Sequence, residues 1–490
     1  MDLGARRLIE ALGKSVDRMA SRFDIPLSDM DHMAVATIAG ELLRREDPAK
    51  AACLHATGYA LAQRLAELVG PDGDQVAQLC GPPPSGNDYA AAQAGLATLK
   101  KSLSSLVARS GYPVDRTGAL PPVITEICAW ECDLIKLPSP AEIPASGGRD
   151  FRQGLEESAR AQGGAFENAE IVAFTPLIGG FSNETALFTL ADAKGERWDL
   201  VSRVSTGLPL GIEGRDIDGE YFLLRYLHQH RAAVAEPIWL ERDIEKYGAQ
   251  FLVTRKLEGG NFGTVVSAER LSPPQLRALA LQLASIHALP LDAADADLQQ
   301  SLIDADLVGV STREAVNAYL DRWIRLWRST GLASPTVEAT LHWLRANLPQ
   351  NDEPPVLVHC DYALHNIMMQ GDEISGVLDW ELSHLGDRAE DLMGLLASLS
   401  NDDDAQIFMR HYVDAGGKAP SQFQLEYCNV FRFFIMYVVM LESEFRFYSL
   451  SGIHPELLVL GSFVQTPAAR MAQAIEKAEA ARLGAEQRDG

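Results

Sequence analysis

The stretch Val356-Leu-Val-His-Cys-Asp-Tyr-Ala-Leu-His-Asn-Ile-Met368 decides how this chain is to be read. Its apolar opening predicts a short strand that delivers His359-x-Asp361, and Asn366 follows five residues after the aspartate. A second apolar run, Ile374-Ser-Gly-Val-Leu378, predicts another strand and ends in Asp379-Trp380-Glu381. An Asp and an Asn on one loop, with a second Asp at the next strand end, suit phosphoryl transfer. One carboxylate takes or orients an attacking hydroxyl, while an amide and another carboxylate hold magnesium against nucleotide phosphates. Each segment alone is a weak signal; the ordered pair on consecutive strand ends is much stronger.

Such a site needs a phosphate-covering loop and a cation upstream, and both are present. Leu177-Ile-Gly-Gly-Phe-Ser-Asn-Glu-Thr185 lies between two strand-like segments, and its glycines let backbone amides approach phosphate closely. The next strand-like segment, Trp198 to Val204, brings Arg203 near its end. The amphipathic segment Asp216 to Leu227 then carries Glu220 as a possible partner for that arginine.

On these residues the chain resembles the aminoglycoside phosphotransferase/choline kinase superfamily, above all the kinase-like domains associated with acyl-CoA dehydrogenases. The shared pattern is a Gly-Gly-x-Ser-Asn-x-Thr loop, a strand ending in Arg, His-Gly-Asp-Tyr-x-x-x-Asn, and Leu-Asp-Trp-Glu followed by Gly-Asp-Pro. Here it reads Gly179-Gly180-Phe181-Ser182-Asn183-Glu184-Thr185, Arg203, His359-Cys360-Asp361-Tyr362-Ala363-Leu364-His365-Asn366, Leu378-Asp379-Trp380-Glu381 and Gly386-Asp387-Arg388. The likeness runs from about residue 150 to 480. It implies an α+β, bilobal protein-kinase-like fold with a small β-rich lobe and a larger helical lobe, preceded by an all-α region. It also implies an ATP- and magnesium-dependent transfer to the hydroxyl of a small molecule.

Carried over by position, Asp361 is the expected base, with His359 fixing the catalytic loop and Asp391 bracing it from behind. Asn366 and Asp379 are the expected metal ligands. Gly179, Gly180, Ser182 and Asn183 are expected over the phosphates, and Arg203, held by Glu220, where most kinases place a lysine. Val253-Thr-Arg255-Lys-Leu257 is the expected hinge against adenine. Two departures stand out: Cys360 replaces the glycine of His-Gly-Asp, and Arg388 replaces the proline after Gly386-Asp387.

Composition bounds the partners. Subtracting 67 acidic from 43 basic side chains leaves a formal charge of -24, and no Lys/Arg run supplies a basic patch, so nucleic acid is not an expected partner. Six cysteines in 490 residues are too few for a disulfide scaffold, and no C-x-x-C pair occurs. Cys128 and Cys132, four apart, read as small core residues. The opening MDLGARRLIEALGKSV has no apolar core of a secretory signal, and the longest apolar stretch, Val430 to Leu441, is broken by Arg432. A cytoplasmic location without membrane association is the expectation.

Residues 1–136 read as a helical domain, with apolar three-and-four spacing in Met33–Leu43, Ala51–Leu68 and Tyr89–Val107 and a turn cluster at Gly81–Gly86. The Pro- and Gly-rich segment 137–149 reads as a linker. Residues 150–256 form the expected β-rich lobe, 257–482 the helical lobe and 483–490 a tail. Within the first lobe, strands are expected at 169–177, 185–190, 198–204, 237–240 and 250–254, with a hairpin across Asp192–Gly195.

Several features read as structural. Gly259-Gly-Asn-Phe-Gly-Thr-Val265 looks like a kinase glycine loop but follows the Arg203 strand, so it is a turn leaving the hinge. Asp387-Arg-Ala-Glu390 matches a capping box, which makes Asp387 a helix cap rather than a ligand. His365 and His384 flank the site without a visible thiol or acidic cluster to match them, so neither is read as a metal ligand. Trp323 and Trp327 read as core. A nucleotide-binding regulator without turnover, or a chain whose helical N-terminal domain docks a partner or a second copy, remain alternatives; the filled base and metal positions favour the enzyme.

Overall fold

The computed structural model describes residues 48–69, 89–109, 123, 126–127, 151–177, 183–205, 217–261, 270–301, 305–399, 401–449 and 465–489. The expected helix Met33–Leu43, the Gly81–Gly86 turn, Cys128, Cys132, the 137–149 linker and loop residues Gly179, Gly180 and Ser182 lie outside them. In chain order the helices used below are α1 (Pro48–Val69), α2 (Tyr89–Arg109), α3 (Phe151–Ala161), α4 (Ile217–Gln229), α5 (Pro273–His287), α6 (Thr312–Ser329), α7 (Pro335–Ala346), α8 (Ala389–Ser398), α9 (Asp402–Asp414), α10 (Gln422–Ser449) and α11 (Gln465–Asp489). The strands are β1 (Glu170–Leu177), β2 (Asn183–Ala191), β3 (Arg197–Ser205), β4 (Pro237–Glu241), β5 (Phe251–Arg255), β6 (Gly260–Asn261), β7 (Val356–Val358), β8 (Ile367–Gln370), β9 (Glu373–Val377) and β10 (His384–Gly386).

The described residues fall into two compact units, one from within 1–145, 322–348 and 429–490, the other from within 146–321 and 349–428. Described residues of 322–348, 429–449 and 465–489 thus group with the N-terminal helices. The first unit is helical. Leu96, Leu99, Leu103 and Leu106 repeat at three-and-four spacing along α2 and bury against Leu61, Ala62 and Leu65 of α1. Ala339 of α7 joins the same cluster, and the buried Trp343 indole donates to Glu479 Oε1 of α11 at 2.8 Å. Trp323 and Trp327 are each only 1% exposed, as core residues are.

The second unit is α+β. A five-stranded antiparallel sheet runs in the order β1-β2-β3-β5-β4. The hairpin between β2 and β3 turns at Asp192, whose Oδ1 accepts the Lys194 and Glu196 N–H groups. Alternate residues Phe188 and Leu190 of β2, with Trp198 and Leu200 of β3, face a core closed by Leu155 and Ala159 of α3. Three further strands were not expected: β6, β8 and β10. All are two to four residues long, too short to show a period. Beyond β5 the chain pairs β6 with β8, β8 with β9 as a hairpin, and β10 with β7. Around them Leu276, Leu279 and Leu283 of α5, Leu392 and Leu395 of α8, and Phe408 and Tyr412 of α9 form one core.

Helix α10 contains a window, Gln422–Ser443, long and apolar enough by length and composition to cross a membrane; 67% of it is buried inside the protein, as in a core helix. Of the Gly259–Val265 segment only Gly259–Asn261 is described: a bend at Gly259 leads into β6, and the reason for glycine there is visible. Gly259 has φ +96°, and a Cβ there would lie 2.1 Å from the Met369 carbonyl oxygen. Gly259→Ala is therefore expected to lower the urea midpoint. Left-handed backbone alone costs about 1–2 kcal/mol for a non-glycine residue, before the clash is counted. An unchanged midpoint would mean the bend does not hold β6 against β8.

Candidate active site

The catalytic-loop candidate spans 359–366, between β7 and β8, and the metal-loop candidate follows β9. The β8–β9 hairpin places them side by side: the Leu378 N–H donates to the Asn366 carbonyl at 2.8 Å. His359 ties them a second time. Its Nε2 donates to the Leu378 carbonyl at 2.7 Å, and its Nδ1 accepts the Asp361 N–H at 3.2 Å. A carbonyl only accepts, so Nε2 carries the hydrogen and the ring is neutral. Completely buried, His359 positions Asp361 relative to Asp379 and is not placed to exchange a proton with a ligand.

Asp391 of α8, also fully buried, accepts two backbone N–H groups of the loop. Its Oδ2 accepts the His359 N–H at 2.9 Å and its Oδ1 the Cys360 N–H at 2.7 Å. Behind it, His287 Nε2 lies 3.1 Å from Oδ2, while His287 Nδ1 meets the Tyr412 hydroxyl at 2.7 Å. Burial pushes the Tyr412 hydroxyl up to about 12, with Arg388 and the nearby aspartates as smaller influences. His287 and Tyr412 were not singled out in the sequence; they stand 104 and 125 residues from their partners, and no local pattern marks them.

In contrast to Asp391, the Asp361 and Asp379 side chains keep 29% and 39% exposure, enough to meet a ligand from solvent. Asn366 Nδ2 donates to Asp361 Oδ2 at 2.9 Å and to its carbonyl at 3.0 Å, and His365 Nε2 lies 3.3 Å from the same Oδ2. The base candidate is thus held along its Oδ2 edge by Asn366 and His365. Asp379 has φ +62°, a backbone state costly for a non-glycine residue and common at ligand-binding turns.

Arg203 reaches across from β3. Its Nε is 3.2 Å from Glu220 Oε1 on α4, its Nη2 3.2 Å from Asp379 Oδ1 and 4.0 Å from Glu381 Oε2. Burial pushes this guanidinium down, but Glu220, Asp379 and Glu381 together outweigh it and hold the pKa above the usual arginine value. Glu381 is an addition to the expected set; the adjacent Asp-x-Glu spacing was its signal. The oxygen donors of Asp379, Glu381 and Asn366 suit a hard cation such as magnesium.

Other candidates fall differently. Asn183 opens β2 in register with Ser205; its side chain lies outside the described set, as do Gly179, Gly180 and Ser182. Arg255 is engaged with Glu236, Nε to Oε2 at 2.7 Å, and its own N–H goes to the Glu236 carbonyl at 2.9 Å, so its side chain is not directed to the Arg203 cluster. Leu257 packs over Gly376 of β9. Asp387 is a helix cap: its Oδ1 accepts the Ala389 N–H at 2.9 Å while Glu390 Oε1 accepts the Asp387 N–H at 2.9 Å.

The second unit thus combines a buried network behind the Asp361 loop, an arginine shared by three carboxylates and an antiparallel sheet followed by a helical core. Residues 173–424, just over half of the chain, match the phosphotransferase enzyme family, and the chain belongs to it. Over 191 residues it is 31% identical to acyl-CoA dehydrogenase family member 11 of Mus musculus, covering 36% of this chain and 22% of that protein. Over 103 residues it is 37% identical to the homoserine kinase of Methylocella silvestris, covering 19% of this chain and 30% of that one. The matches thus span less than a third of either relative's length. Among solved structures, a macrolide 2'-phosphotransferase from Brachybacterium faecium superposes with a TM-score of 0.40 at 20% identity, covering 59% of this chain and 93% of that one.

Asp391→Asn tests the brace. It replaces one acceptor with an amino group facing a backbone N–H and removes a buried charge. The expected loss is about 3 kcal/mol, within the range for breaking a buried charged network, and a thermal melt measures it. A melt like that of the unaltered protein would show that the loop does not depend on Asp391.

Proposed function

We propose that the protein transfers the γ-phosphoryl group of ATP to a hydroxyl of a small molecule, with magnesium bound. The observation that carries this reading is the convergence of Arg203, Glu220 and Asp379 beside the Asp361–Asn366 pair. Magnesium, held by Asp379 and Asn366 and reached by Glu381, supplies charge neutralisation for the nucleotide phosphates. Arg203, oriented by Glu220, contacts phosphate oxygens through the several donors of its fork. The glycine loop at 179–183 covers the phosphates, and the backbone around Arg255 and Leu257 meets the adenine.

Asp361 accepts the hydroxyl proton as the acceptor oxygen bonds to phosphorus and the bond from phosphorus to the bridging oxygen of ADP breaks. Its Oδ2, held by Asn366 and His365, keeps the carboxylate aimed. The transition state is loose, so the chain contributes positioning and charge more than covalent chemistry. His359 and Asp391 act only through the loop they hold.

A screen of purified protein with magnesium and ATP against hydroxylated compounds, read by ADP release, is the test. On an acceptor so found, Asp361→Ala should abolish transfer while ATP still binds. Asp379→Asn should weaken magnesium-dependent ATP binding roughly ten- to a hundredfold, as losing even a residue behind a metal ligand does. Full turnover by Asp361→Ala would overturn the assignment of the base.

A further inference from the structure

The sequence offers no thiol or acid to match His384, but the fold supplies both. β10 pairs with β7 so that His384 stands opposite Val358, two residues before Cys360. Glu390 arrives from the first turn of α8. Cys360 Sγ, His384 Nε2 and a Glu390 carboxylate oxygen all lie within 4.8 Å of one another, and all three residues are buried. Cys360 holds φ +68°, the backbone state that the glycine of the family pattern adopts without cost, so a side chain is retained here despite strain.

The hydrogen accounting around His384 leaves its Nε2 edge to a proton or a bound cation, and Cys360 supplies a third donor for the latter. Its Nδ1 lies 2.9 Å from the Leu382 carbonyl, which only accepts, so Nδ1 carries a hydrogen. Its Nε2 lies 3.0 Å from Glu390 Oε2. In a neutral imidazole that nitrogen presents a lone pair to a carboxylate oxygen, so either a ring proton or a bound cation lies between them. Ring N–H to backbone carbonyl is the usual outer contact of a metal-bound histidine. The ring is further fixed by Tyr319, stacked on it at 3.4 Å between centroids. Gly386 leaves the pair its room: a Cβ there would be 2.4 Å from Glu390 Oε1 and 2.9 Å from His384 Nε2.

We propose that Cys360, His384 and Glu390 bind one zinc-class divalent cation, a structural clamp joining the catalytic loop, β10 and α8. A sulfur, nitrogen and oxygen donor set selects zinc over magnesium. Tetrahedral bonds near 2.1 Å place ligand atoms about 3.4 Å apart, close to the nitrogen–oxygen separation already present. On binding, the sulfur–metal bond replaces the S–H bond and the proton leaves to solvent, so thiolate and carboxylate together balance the metal charge in the buried site. The clamp is separate from the magnesium ligands and does not depend on which acceptor the enzyme uses.

The test strips the whole protein with a chelator, then titrates zinc or cobalt with magnesium present. Bound metal is counted by mass spectrometry after gel filtration. One zinc per chain and a higher melting temperature are expected, and cobalt should give a thiolate-to-cobalt charge-transfer band. Cys360→Ala should remove the band, and Cys360→Ala and His384→Gln should each cut affinity at least roughly tenfold to a hundredfold. The cobalt spectrum of the unaltered protein decides even if a variant misfolds. Uptake of less than about a tenth of an equivalent, cobalt bound without the band, or undiminished binding by Cys360→Ala would overturn the site.

Discussion

Arg203 is the charge around which the second unit is organised. It comes from the antiparallel sheet, yet its carboxylate partners come from α4 and from the turn after β9, 176 residues further along the chain. Its side chain is 19% exposed, so the guanidinium has left most of its water and must be repaid by those carboxylates. Removing one member of such a group leaves an unbalanced charge at a cost of about 3 kcal/mol, taking the low end of the range because solvent still reaches the arginine. A nucleotide phosphate offers the same arginine further oxygens. Under the proposed function, the contact that closes the fold here is the one a nucleotide would exploit.

A second layer holds the Asp361 and Asp379 loops still. Asp391 holds two consecutive backbone N–H groups, and His359 links the loop of Asp361 to that of Asp379. Among the described residues three non-glycine positions have positive φ, and two of them, Cys360 and Asp379, lie on these loops. Strain at both places is sustained because buried hydrogen bonds over-determine the backbone. Rigid positioning of this kind is what a loose transition state requires of a protein.

What was legible in the sequence was what chain order carries. His359, Asp361, Asn366 and Asp379 stand at fixed short spacings after apolar runs, and the Asp192 hairpin is local chemistry. The pairing of Arg203 with Glu220 was also readable, because a strand and the helix after it are sequence neighbours. What was not legible depends on distant, commonplace residues. His287 and Tyr412 support Asp391 only through tertiary packing, and β10 is three buried residues with no period to detect. Cys360, His384 and Glu390 meet only because β10 lies antiparallel to β7. Similarly, α7 is an ordinary amphipathic helix, and nothing in its spacing says that its apolar face meets α2.

The central claim is that Arg203 and Glu220 act on the nucleotide as one unit. Calorimetry of magnesium-ATP binding to the unaltered protein, Arg203→Ala, Glu220→Gln and the double variant tests it without needing the acceptor. The account predicts that each single change weakens binding and that the double variant loses less than the sum, by about 1 kcal/mol or more. Strictly additive losses, or Arg203→Ala binding as tightly as the unaltered protein, would contradict it.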